Sequence, residues 1–148
     1  MAEHKREKTK NGLDLHYSVG AIIQKDDKYL LISRAIPPYG FACIGGHVEE
    51  GETPENALTR EVAEESGLIV TKKKLLFEES LDWDLCARKV HNHHWYIFQC
   101  LAHGELKENK YEVKSIGWYT TKRLLTLPLT SVWIYWFKKL NLQLNKDH

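Results

Sequence analysis

The stretch from Gly46 to Leu68, GHVEEGETPENALTREVAEESGL, constrains this chain more than any other, because it spells out a loop, a helix and a stop in one unbroken run. Thr53 can cap a helix by accepting a backbone N–H, and Pro54 suits the first helical position, where its missing N–H costs nothing. Glu55 sits in the first turn, where the helix dipole favours an anion. Gly67 supplies a left-handed residue at the far end. Glu49, Glu50, Glu52, Glu55, Glu61, Glu64 and Glu65, offset by Arg60, give the stretch a net charge of −6 inside a chain of net charge +1. At roughly 100° per residue, Glu61, Glu64 and Glu65 share one helix face beside an apolar seam of Leu58 and Val62. Glu61 with Glu65, and Glu61 with Glu64, are like-charge neighbours that cost the helix a few tenths of a kcal/mol each unless a cation lies between them. A hard divalent ion with oxygen ligands suits such a face. A solvated acidic surface fits the same spacing.

The order of these residues narrows the choice. Gly46, five others, Glu52, seven others, Arg60-Glu61-Val62, one other, Glu64-Glu65, one other and Gly67-Leu68 fill every specified position of G-x5-E-x7-R-E-U-x-E-E-x-G-U, with U aliphatic. This resembles a complete Nudix box. Relatives usually carry Pro-Gly-Gly immediately before it, whereas this chain has Ile44-Gly45-Gly46, a departure that touches the loop and none of the charged positions.

The rest of the chain supplies a frame. Its 148 residues, 43% hydrophobic and 28% charged, fit one globular domain with one core, here taken as residues 17–144 after a loosely ordered segment 1–16. Near-neutral charge provides no broad basic field, so neither stable nucleic-acid binding nor an anionic membrane partner is expected. The longest apolar run, Val132–Phe137, is far short of the ~18 residues needed to span a bilayer. MAEHKREKTK lacks the apolar core of a signal peptide. A cytoplasmic monomer or homodimer is the expectation. Cys43, Cys86 and Cys100 have no CxxC spacing and read as reduced packing residues.

Tyr17–Gln24 and Lys28–Arg34 are apolar, β-branched runs flanking Lys25-Asp26-Asp27, which predicts a hairpin. A loop with Pro37, Pro38 and Gly40 leads to a short strand at Ala42–Ile44. Further strands are expected at Ile69–Val70 and Leu75–Leu81 around a basic turn at Lys72–Lys74, then at Val90–Leu101 and Val113–Tyr119. Leu129, Val132, Trp133, Trp136, Phe137, Leu140 and Leu144 lay an apolar stripe along a C-terminal helix of about four turns. His91, His93 and His94, with Cys86 nearby, lack the second ligand pair of a zinc site and read as exposed imidazoles at a strand end. Strands, a helix, more strands and a final helix predict an α/β (α+β) sandwich with a mixed sheet, which agrees with the α/β/α sandwich that the resemblance implies.

The resemblance also implies roles. Similar enzymes hydrolyse a nucleoside diphosphate linked to another group, by water attack on phosphorus with Mg²⁺ or Mn²⁺. On that pattern Glu61, Glu64 and Glu65 are metal carboxylates and the Gly45 carbonyl an added ligand. Arg60 pairs with Glu52, while Gly46 and Gly67 complete the box as structural residues. The general base is Glu64, or else Glu61, and a late-loop carboxylate, Glu112 or else Glu108, completes the metal set. Arg34, Tyr39 and Trp83 are candidate contacts to a nucleotide-type substrate. A non-catalytic Nudix domain that binds a nucleotide or a protein is the alternative, although such domains normally show eroded carboxylates. The window Leu81–Cys86 has neither the proline associated with ADP-ribose nor the tyrosine associated with dinucleoside polyphosphates.

Overall fold

In chain order the elements are β1 (Arg6–Lys8), β2 (Asp14–Lys25), β3 (Lys28–Arg34), β4 (Phe41–Ala42), β5 (Ile44–His47), α1 (Pro54–Ser66), β6 (Ile69–Leu81), β7 (Asn92–His103), β8 (Val113–Thr120), α2 (Thr121–Leu124) and α3 (Ser131–Lys139). They are taken from a computed structural model, which describes residues 6–8, 12, 14–84, 90–107 and 111–141. Glu108, Cys86 and Leu144 lie outside the described residues.

β2 organises the sheet. It forms the expected hairpin with β3 through Asp26, a non-glycine residue at φ 57°. It pairs antiparallel with β1 and β5 and parallel with β7 from Leu15 to Ile23. β3 carries β4 on one edge and β8 on the other, and β6 closes the far side of β7; with β2 parallel to β7 and the other pairs antiparallel, the sheet is mixed as the sequence predicts.

Alternation along β2 divides the core in two. Val19, Ala21 and Ile23 face α1 and pack with Ala57, Leu58 and Val62. Ile22 faces the other way, toward Val132, Trp133, Trp136 and Phe137 of α3. At ~25 cal/mol per Å², aromatic side chains of this size supply a large share of the burial on that side. α3 is also tied to β6, where Glu79 accepts hydrogen bonds from the Tyr135 hydroxyl at 2.7 Å and from Lys139 Nζ at 2.6 Å.

Several boundaries differ from the sequence reading. β2 starts at Asp14 rather than Tyr17, and β1 pairs with that earlier part. Lys72–Lys74 do not turn. β6 runs unbroken from Ile69 to Leu81 with irregularities beside Val70 and Leu75, and its exposed lysines belong to an outer strand, where charge discourages edge-to-edge pairing. α3 begins at Ser131 and its cap is Leu140, because Leu129 is committed to a bridge with Phe41.

Candidate active site

α1 is built as its ends dictate. Thr53 Oγ1 accepts the Asn56 N–H at 3.1 Å, and Gly67, at φ 79°, donates its N–H to the Ala63 carbonyl at 2.9 Å. The helix therefore presents a fixed face to β5, and that face is where the acidic residues converge.

Arg60 ties the helix to the loop before it. Its Nε and Nη2 donate to the two carboxylate oxygens of Glu52 at 2.7 and 3.0 Å. Nη1 donates to Glu61 and Glu64, each at 3.0 Å, and Nη2 also reaches the His47 carbonyl at 2.9 Å. A planar fork with five donors makes this many bonds at once, which a lysine does not. Glu52 additionally accepts the Glu49 N–H at 2.9 Å, and the Arg60 hydrogen bonds hold its carboxyl below the usual range.

The three helix carboxylates are not equivalent. Glu61 and Glu65 are 7% and 3% exposed, tucked between α1 and the sheet, whereas the Glu64 side chain is 52% exposed at the rim. Burial pushes the Glu61 carboxyl up to about 8, with Glu64 and Glu112 adding to it against the pull of Arg60. Burial, then the charges of Glu61 and Glu112, hold Glu65 well above the ordinary carboxylate range. Its Oε1 is buried without a hydrogen-bond partner among the described residues. Glu112 stands just before β8, where its carbonyl accepts the Ala35 N–H at 2.9 Å, and that tie brings its carboxylate to the same place.

A cavity of about 340 Å³ opens over these groups. Gly45, Gly46, Glu61, Glu64, Glu65 and Glu112 line it together with Arg34, Asp84, His47, His93, Trp95 and Trp133. Arg34 is held by its own loop, donating from Nε to the Pro38 carbonyl at 2.8 Å and from Nη2 to that of Pro37 at 3.3 Å. Tyr39 is 64% exposed under Lys114, and Trp83 is 44% exposed against Tyr135; neither is among the lining residues.

Of the strand-end histidines, His91 is exposed as the sequence predicts, whereas His93 is 1% exposed and His94 bonds to Ser80 and Glu78. Burial lowers His93 to about 4. Of the cysteines, Cys43 and Cys100 are buried free thiols, with Cys100 pushed by burial up to about 12, so both pack as neutral groups.

The model of the NUDIX domain matches residues 14–138, nearly the whole described chain. The chain belongs to the Nudix family. The ADP-ribose pyrophosphatase of Methanocaldococcus jannaschii is 50% identical over 76 residues, which cover 49% of this chain and 45% of that protein. The match thus spans under half the length of that relative. The CTP pyrophosphohydrolase of Escherichia coli K12 is 31% identical over 116 residues, covering 75% of this chain and 80% of the relative. The crystal structure of the MutT NUDIX hydrolase from Burkholderia pseudomallei superposes with a TM-score of 0.68 at 23% identity, over 90% of this chain and 98% of that one, a likeness of fold. The α/β sandwich with a mixed sheet is therefore the Nudix fold, as the box residues implied.

Two features of this Nudix site escaped the sequence. Asp84 and Trp95 reach the cavity together, the indole N–H donating to Asp84 at 2.9 Å. The second is the set of histidines gathered across three strands, for which parity within β2 and β7 was the available signal.

Proposed function

We propose that this chain hydrolyses the pyrophosphate linkage of a nucleotide-type substrate by water attack on phosphorus, with a hard divalent cation, Mg²⁺ or Mn²⁺, as cofactor. One observation carries the reading: two carboxylates, Glu61 and Glu65, are buried side by side with Glu112 against them, and one Glu65 oxygen has no hydrogen-bond donor. Burying like charges together is costly unless a cation or protons compensate. An all-oxygen donor set of Glu61, Glu64, Glu65, Glu112 and the Gly45 carbonyl fits Mg²⁺ or Mn²⁺.

Such an ion would neutralise phosphate charge and lower the pKa of a water molecule. The protein's own residues do the remainder. Arg60 fixes the Glu61 and Glu64 carboxylates relative to the loop through Glu52. Glu64, open to solvent at the cavity rim, takes the proton from the attacking water as the P–O bond to the leaving phosphate breaks. Arg34, whose side chain is braced by the Pro37 and Pro38 carbonyls, offers its guanidinium to a phosphate in the cavity. Trp95 and Trp133 add aromatic lining against which a base or sugar would pack.

ADP-ribose and CTP, which the names of two relatives specify, both place a nucleoside diphosphate on a further group. They belong in one screen with nucleotide sugars and dinucleotides, run with and without Mg²⁺. Mg²⁺-dependent release of a nucleoside monophosphate or of phosphate from any of them, abolished in Glu61→Gln, is the expected result. Binding without turnover across the whole panel would instead favour a ligand-binding domain.

A further inference from the structure

On the face of the sheet opposite α1, three imidazoles gather that the hydrolytic reading leaves without a role. His16 on β2 lies in direct register with His93 on β7, and β5 brings His47 alongside from the other edge of β2. Each has a ligating atom within 4.8 Å of the other two. The His47 and His93 rings stack at 5.7 Å and 5°, and His16 stands edge-on to them at 4.9 and 5.6 Å.

Packing alone does not account for His93. It is 1% exposed, and neither ring nitrogen makes a well-formed hydrogen bond among the described residues, only loose approaches to the backbone of Asp84 and His91. The nearest acid is Asp84, whose Oδ2 lies 3.7 Å from its Nδ1 while accepting the Trp95 indole N–H. A carboxylate beside one imidazole nitrogen, leaving the other for an ion, is the arrangement that orients metal-binding histidines. A neutral imidazole is the form that ligates. Three ligands about 2.0–2.1 Å from one tetrahedral ion sit about 3.4 Å apart, which small side-chain rotations from the observed spread would reach. Nitrogen donors select borderline late transition metals, whereas the carboxylates of α1 select hard ions, so the two sites differ in kind.

We propose that His16, His47 and His93 form a second metal site, for a zinc-like divalent ion, with Asp84 orienting His93. Because His47 and His93 line the cavity, the remaining coordination position faces it. An ion there would meet a substrate in the cavity that the carboxylates also line.

Chelator-treated full-length protein is titrated with Zn²⁺ against a chromophoric chelator, and with Co²⁺ by visible absorption, in excess Mg²⁺ so that the acidic site is filled. One tight equivalent is expected, with a tetrahedral Co²⁺ spectrum. His16→Gln and His47→Gln should abolish that spectrum, Asp84→Asn should weaken Zn²⁺ by at least about tenfold, and Glu61→Gln should change neither. Circular dichroism of each variant separates lost binding from lost fold, and His47, half-buried on a short strand, decides the matter if His16→Gln does not fold. Absence of a tight equivalent, or binding that survives both histidine changes and disappears with Glu61→Gln, overturns the site while leaving the hydrolytic reading to its own test.

Discussion

The Glu61 carboxylate lies directly on Gly46: a Cβ built at Gly46 would sit 1.4 Å from Glu61 Oε2. The box glycine is needed for the space above it, which lets a helix carboxylate press against strand β5 at the edge of the cavity. Gly46→Ala should therefore displace Glu61 and raise the Mg²⁺ concentration for half-maximal rate by about tenfold or more, at a stability cost in the ordinary range of ~1–3 kcal/mol. A metal titration beside a urea melt checks this, and an unchanged Mg²⁺ requirement would sever Glu61 from the metal.

Arg60 is the common partner of Glu52, Glu61 and Glu64, so Arg60→Ala leaves several part-buried carboxylates without their cation. Breaking a fully buried pair costs ~3–5 kcal/mol, and the partial exposure here reduces that to about 2–3 kcal/mol. Arg60→Lys should recover only part of it, since an ammonium cannot reproduce the two-point bond to Glu52. Urea unfolding checks the magnitude; a loss below ~0.5 kcal/mol would place the cluster among exposed i,i+4 pairs.

How far the sequence carries depends on whether a feature is local. The α1 caps were legible because Thr53, Pro54 and Gly67 act within a turn of themselves, and α3 because its apolar stripe repeats along one helix. The box spacing gave Glu52 and Arg60, whose pairing the structure describes. Burial was not legible: Glu64 and Glu65 are adjacent in sequence yet one faces solvent and the other is buried beside Glu61 and Glu112. Nor were features made by register. His16, His47 and His93 meet only because β2 runs parallel to β7 and antiparallel to β5. Three consecutive lysines resemble a turn from composition, and only pairing with β7 shows them to be strand.

Acid–base linkage gives a prediction for the metal-free protein. Burial raises Glu61 from 4.5 to about 8, so the native state keeps a proton that the unfolded chain releases, and stability falls as pH rises between those values. His93, lowered from 6.5 to about 4, acts in the opposite sense, adding stability as pH rises through that lower window and nothing above it. Above pH 6.5 only the carboxyl effect is left. Tm should then drop on the order of 5 °C from pH 6.5 to pH 8 without metal. Excess Mg²⁺ should flatten the slope, and Glu61→Gln should reduce it. A metal-free Tm that is level or rising over that range would contradict the buried-carboxyl assignment.

The neighbours Glu64 and Glu65 should separate by kinetics. Glu64 is mostly exposed and its pair with Arg60 is worth only about 0.3–0.5 kcal/mol, so Glu64→Gln leaves the fold nearly untouched. It retains shape and one acceptor oxygen while losing the ability to take a proton. Turnover should fall by roughly 10²–10⁴ in kcat with KM nearly retained, as for a lost general base. Glu65 is buried with an oxygen that has no donor, and Gln there replaces a carboxyl that burial favours in its neutral, protonated form when no metal is bound. Glu65→Gln should therefore keep or raise metal-free stability and shift the Mg²⁺ requirement upward, with much of kcat returning at high Mg²⁺. Titrating Mg²⁺ against rate for both variants decides between them. Rescue of Glu64→Gln by excess Mg²⁺, with none for Glu65→Gln, would exchange the two roles.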